Sequence, residues 1–324
     1  MQPAKRRKIV DDVRQLLPYL DVELPGRSLN HNCSLRACSG VEIKVGSGTE
    51  ERHFWIASCV ENLTLPSHNA VVDRIECDFT KFTTLKMMFL ACNRLTKLPS
   101  GLGKLPQLRY LNVTGNPLVC LPQEPGLQFP ELQHLVLDSC DQLGSAAISE
   151  FVAPLTTLRK LSLTSCCLQE FPSGILQLTR LKALDLQCNR GIGELPENLG
   201  QLIKLSELLL NGCNIVQIPL SIRHLTKLET LRFSENRQLK QLPLALASLP
   251  KLVNFDLASR HYHGLMLVPT MRIKRRRNCW LACYFMQALA CDTPILEALL
   301  ARETNFTLRQ TVQQARFRLL GTEK

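Results

Sequence analysis

Aromatic residues are scarce in this 324-residue sequence, 6% with two Trp and four Tyr, so aliphatic side chains must build any core. Long apolar runs are absent as well. The longest, Cys279 to Cys291, is thirteen residues and contains Gln287, short of the ~18 a membrane span needs. No apolar stretch follows the opening Met-Gln-Pro-Ala-Lys-Arg-Arg-Lys, so no secretory signal is expected. The fourteen cysteines are accordingly read as reduced thiols, because a disulfide framework needs an oxidising compartment. A phosphate loop, a His-Glu-x-x-His helix and a Gly-x-Ser-x-Gly elbow are also missing. The expectation is a non-enzymatic protein of the cytoplasm and/or nucleus, without cofactor or metal. Hydrophobic residues at 45% exclude wholesale disorder.

Leucine is abundant, and it is periodic. The pattern L-x-x-L-x-L-x-x-N recurs from Leu85, Leu108, Leu132, Leu158, Leu181, Leu205 and Leu228, with weaker copies from Val60 and Leu252. Successive starts are 23 to 26 residues apart. In Leu181-Lys182-Ala183-Leu184-Asp185-Leu186 the leucines at 184 and 186 alternate with polar neighbours, the period of a half-buried strand. The ninth position forms a ladder, Asn93, Asn116, Cys140, Cys166, Asn189, Cys213 and Asn236. An amide there can bond turn backbone that would otherwise be buried unpaired. Cys at that site is a variant of the repeat, so these three thiols receive a structural reading, as do Cys92 and Cys188 at the strand-to-turn bend. One unit cannot bury its own apolar face and must stack on its neighbours.

This pattern is identified as a leucine-rich-repeat array. The expected class is α/β: a repeat solenoid with a curved parallel sheet on its concave side, a small N-terminal α/β cap and a helical C-terminal cap. The expected boundaries are 1–59, 60–257 and 258–324. The corners Leu98-Pro99, Leu121-Pro122, Phe171-Pro172, Leu195-Pro196, Ile218-Pro219 and Leu242-Pro243 resemble the intracellular repeat class of Ras-suppressor proteins and plant intracellular Ras-group repeat proteins. The unit from Leu132 departs from it: Ser145 to Ala153 lacks the Leu-Pro corner and predicts a true helix.

The flanks lack the repeat. Ile9, Val13, Leu16, Leu17 and Leu20 have helical spacing interrupted by Pro18, and Val41–Val45 with Arg52–Ser58 predicts a hairpin. Basic residues concentrate at the far end: 11 against 4 acidic over 258–324, compared with 9 against 7 over 1–59 and 19 against 17 over 60–257. Lys5, Arg6, Arg7 and Lys8 look like a short nuclear-import signal. The near-neutral repeats argue against nucleic acid as a partner. The basic run Arg272–Arg277 before an apolar segment bearing Cys279, Cys283 and Cys291 has the ingredients of a membrane anchor, but the membrane reading is set aside. His261, His263, Cys279 and Cys283 do not have a standard zinc spacing. Finally, Pro294-Ile-Leu-Glu-Ala-Leu-Leu-Ala-Arg302 is similar to the short helix after the repeats in leucine-rich-repeat substrate receptors of cullin ubiquitin ligases. That resemblance implies docking of an elongin-type adaptor through Ile295, Leu296, Leu299 and Arg302.

Alternation places positions 3, 5 and 7 of each unit on the outward face of the sheet. Met87, Phe89, Tyr110 and Val136 there make an apolar patch beside His134, joined by Asn112 and followed by Lys160, Asp185, Glu207 and Arg232. An exposed apolar patch marks an interface, so these residues are the expected contact with a protein partner.

Overall fold

The computed structural model describes residues 40–47, 50–65, 72–122, 129–239, 243, 245–246 and 249–256, with side chains except at 40, 47, 50–55, 57 and 256. The N-terminal helical pattern, the basic cluster Lys5–Lys8 and the whole tail from 257, including the docking segment at Ile295 and the His/Cys residues, lie outside the described residues. The chain divides into two compact units.

The first unit holds strands β1 (Gly40–Ser47), β2 (Glu50–Ala57), β3 (Asn62–Thr64), β4 (Arg74–Cys77), β5 (Met87–Phe89), β6 (Tyr110–Asn112) and β7 (His134–Val136), helix α1 (Ser145–Val152) and strand β8 (Lys160–Ser162). β1 and β2 form the expected hairpin, with Ile43 opposite Phe54. A third strand was not foreseen: β4 pairs antiparallel with the other edge of β1, Val45 opposite Ile75. Its burial alternates, with Ile75 buried between exposed Arg74 and Glu76, but four residues are too short a run to have marked it as a strand. Val41, Ile43 and Val45 are buried and fix the register.

β3, β5, β6, β7 and β8 pair in parallel, with Leu63, Met88, Leu111, Leu135 and Leu161 aligned and buried. These strands are three residues long because each repeat commits only one core residue and its two outward neighbours, positions 3 to 5, to the sheet before the ladder residue bends the chain. Asn116 shows how the bend is held. Its Nδ2 donates to Leu90 O (2.8 Å) and Val113 O (2.7 Å), and its Oδ1 accepts from Leu95 N (3.1 Å). One buried amide thus satisfies three backbone groups in two repeats. The thiols copy half of this: Cys140 Sγ donates to Val113 O (3.5 Å) and Cys166 Sγ to Leu137 O (3.1 Å).

The residue before the ladder position is left-handed in four repeats of the first unit, at Cys92 (φ 55), Gly115 (φ 67), Ser139 (φ 54) and Ser165 (φ 56). The same bend recurs in the second unit at Cys188 (φ 62), Gly212 (φ 68) and Glu235 (φ 60). That geometry favours glycine, yet only two of the seven positions use it. On the other side of the first unit, α1 buries Ile148, Phe151 and Val152, with the Phe151 ring edge-on to Phe129 at 5.9 Å. The helix predicted for this segment is present.

The second unit holds β9 (Ala183–Asp185), β10 (Glu207–Leu209), β11 (Thr230–Arg232) and β12 (Asn254–Asp256), again parallel and in register over Leu184, Leu208, Leu231 and Phe255. Its ladder residue Asn236 donates to Leu210 O and Phe233 O, both at 2.8 Å, and accepts from Cys213 N and Ile215 N. The predicted Leu-Pro corners lead into 3-10 turns at Glu197–Gln201 and Leu220–His224, as the corner before Ser173–Gln177 does in the first unit. Proline suits the start of such a turn because its fixed φ fits and no N–H is needed there.

Candidate protein-binding face

The parallel register sets the outward residues of the first unit in two rows. One runs Asn62, Met87, Tyr110, His134, Lys160, and the other Thr64, Phe89, Asn112, Val136, Ser162. Each flanks a buried central residue, so both rows lie on the face opposite the core. Met87, Phe89, Tyr110, Asn112, His134 and Val136 are half-buried and Lys160 is exposed. The expected patch is therefore contiguous. Phe89 packs on Tyr110 with ring centroids 5.0 Å apart, and Tyr110 meets His134 edge-on at 6.0 Å.

The three rings are preorganised by one another, and no buried position requires them. Burial, with Lys160 and Arg159 adding like-charge repulsion, lowers the His134 pKa below its ordinary 6.5. The ring is therefore neutral at pH 7. Because the folded pKa is depressed, His134 contributes stability above the unfolded pKa that is lost as pH falls below it.

Asn112 serves the fold as well as the surface: its Oδ1 accepts from Thr114 N at 2.9 Å. Asp138 is a hub whose bonds its position in the sequence did not reveal. Its Oδ1 accepts from Ser162 Oγ (2.6 Å) and Thr164 N (2.8 Å) of the next repeat. Two further residues escaped the sequence reading, Arg109 and Arg159, exposed just before β6 and β8. Their signal was present in the second position of the repeat, which carries Lys86, Arg109, Gln133 and Arg159, but alternation directed attention to positions 3, 5 and 7.

Asp185, Glu207 and Arg232 belong to the second unit, where Asp185 and Glu207 are half-buried and Arg232 is exposed. The face there is polar and internally bonded. Gln187 N and Nε2 donate to Asp185 at 3.0 and 3.1 Å, Asn211 Nδ2 donates to Gln187 Oε1 at 2.7 Å, and Ser234 N donates to Asn211 Oδ1 at 2.8 Å. Among the described residues no group of three or more His, Cys, Asp or Glu side chains is placed to hold a metal ion, and no helix is long and apolar enough to cross a membrane.

Residues 125–266 match the family model of the leucine-rich repeat region. The fold is a leucine-rich-repeat solenoid. The leucine-rich repeat domain of the type III effector XopL is 23% identical over 61% of this chain and 76% of its own, with a TM-score of 0.51. A leucine-rich-repeat protein of Leptospira interrogans is 28% identical over 55% of this chain and 50% of its own, TM-score 0.44. The ectodomain of the Arabidopsis thaliana membrane receptor kinase GASSHO1/SCHENGEN3, solved with Casparian strip integrity factor 2, is 28% identical over 55% of this chain and 25% of its own, TM-score 0.41. This chain thus spans half the length of the Leptospira protein and a quarter of the plant ectodomain. Leucine-rich repeats generally serve as protein-interaction modules, their binding surface built from residues the scaffold leaves free.

Proposed function

We propose that the protein is a non-enzymatic adaptor, acting in signalling or nuclear regulation, whose leucine-rich-repeat face holds a protein partner. One observation carries the reading: the packed ring cluster Phe89, Tyr110 and His134 on a sheet face, bordered by Met87 and Val136, where the repeat imposes no aromatic residue. Half-buried aromatic anchors in a contiguous patch are what interface hot spots are made of. The test is quantitative co-purification of partners with the full chain and with Phe89→Ala/Tyr110→Ala. Partners are expected to fall by about tenfold or more, since removing two hot-spot anchors costs on the order of 2 kcal/mol or more. Undiminished recovery with an intact circular dichroism spectrum would dismiss this face.

The resemblance of Pro294–Arg302 to ligase receptors carries a second reading, a substrate receptor of a cullin-type ubiquitin ligase. A chain ending at Ala290 separates the two. Elongin and cullin subunits that bind the full chain and vanish on truncation favour the receptor, whereas a partner set that survives truncation favours the adaptor.

A further inference from the structure

Charge on this face is polarised along the strand direction. Just before the strands stand Lys86, Arg109 and Arg159; Lys160 continues the row of Met87, Tyr110 and His134; and at the C-terminal ends stand Ala91, Thr114, Asp138 and Thr164. Lys86 is already engaged, its Nζ 2.8 Å from Glu61 Oε1. Arg109, Arg159 and Lys160 are exposed, and none of them makes an ion pair among the described residues. Three cations that make no ion pair among the described residues, beside a packed aromatic cluster, make up half of a recognition site, and a complementary ligand supplies the other half.

From this we infer that the face binds an extended acidic peptide, with an apolar side chain seated on Met87, Phe89 and Tyr110 and carboxylates reaching Arg109, Arg159 and Lys160. This rests on the protein-binding reading of the same face and names the chemistry of the partner. Guanidinium groups suit it, since they bind carboxylates in a fork geometry that ammonium groups cannot match. The spacing follows from the sheet. From β5 to β8 is three strand intervals, about 14 Å, which an extended peptide laid across the strands covers in about four residues.

A single-stranded nucleic acid is also drawn to cations and aromatic rings. Here, however, the rings pack against one another at 5.0 and 6.0 Å instead of standing apart to receive bases, and the opposite border carries Asp138 in place of a second basic wall. The chain's own segment 258–324, with 11 basic residues against 4 acidic, has the wrong sign to occupy the site.

The test presents the full chain to a phage-displayed library of random peptides. The enriched sequences are then measured by fluorescence polarisation at low and physiological salt against wild type, Arg159→Glu/Lys160→Glu, Arg109→Glu and Phe89→Ala/Tyr110→Ala. Enriched peptides are expected to pair an apolar residue with carboxylates about four positions away. Arg159→Glu/Lys160→Glu is expected to weaken them by about tenfold, and added salt to weaken the wild-type interaction. Arg109→Glu, in another repeat, checks that the loss is not one local distortion. Neutral or basic peptides that bind equally well after charge reversal, yet are lost with Phe89→Ala/Tyr110→Ala, would overturn the acidic specificity and leave the protein-binding reading standing. Peptides indifferent to Phe89→Ala/Tyr110→Ala would sink both. Oligouridine binding that charge reversal abolishes, with no peptide enriched, would replace both with a nucleic-acid site.

Discussion

At the scale of single residues, the ladder position decides whether the strand-to-turn bend can be buried. Asn116 satisfies three backbone groups, whereas Cys140 and Cys166 offer one sulfur donor each. Asn116→Ala is expected to destabilise the protein by roughly 2–4 kcal/mol, the cost of several buried groups left without partners, and Asn116→Cys by less, because one weak donor remains. Urea midpoints of the full chain with an unchanged m-value check the order; equal losses would contradict it. The thiols form a second test. Burial pushes the pKa of Cys140 up to about 11 and those of Cys166 and Cys213 to about 12, so the thiolate that reacts is all but absent at pH 8. Cys92, Cys167 and Cys188 are exposed. Pulse alkylation read by peptide mass spectrometry should label these three in the native protein and the buried three only in denaturant. Native labelling of Cys166 would refute the ladder assignment. Both predictions concern residues legible in the sequence, because the ladder repeats at a fixed offset. The left-handed residue before it was less legible: five of its seven occupants are not glycine, and the local code that marks a positive φ is therefore mostly missing.

At the scale of elements, the side opposite the sheet is where repeats press closest. Gly174 N donates to Ser149 Oγ at 2.7 Å, and a Cβ at Gly174 would collide with the Ser149 carbonyl at the close of α1. Gly174→Ala is expected to cost about 1–3 kcal/mol, since backbone must shift to admit the methyl. Gly144→Ala, which meets nothing within 4 Å, should change stability by no more than about 0.5 kcal/mol. Thermal melts of both variants decide it, and similar melting temperatures would mean that α1 and the following turn are not in close contact. The sequence announced α1 through its missing Leu-Pro corner but gave no warning of this constraint, because the glycine and the serine it meets are 25 residues apart.

At the scale of the whole molecule, stability should be distributed by repeats. Each repeat buries its leucines mainly against neighbouring repeats, so a core defect acts near its own repeat. Leu208, fully buried in β10, is a suitable probe. Leu208→Ala is expected to cost about 2–5 kcal/mol and, in native-state hydrogen exchange, to reduce protection most over 181–239 while amides around β5 and β6 keep theirs. Uniform loss of protection along the chain would show a single cooperative block instead.

The sequence by itself determined the repeat register, the aliphatic core, the Pro-led turns and the helical exception, because each is written in a period of two or of 23 to 26 residues that local side-chain chemistry enforces. It also placed the outward residues correctly, since alternation fixes which side of a strand a residue takes. Only the tertiary structure decided what those residues do next. Parallel pairing at common register packed Phe89, Tyr110 and His134 across two neighbouring rows, bound Asp138 to the following repeat, and left Arg109, Arg159 and Lys160 without an ion pair among the described residues. It also recruited β4 to the edge of the hairpin. These outcomes depend on neighbours a full repeat away and on which polar groups find partners across strands, and no local pattern encodes that choice.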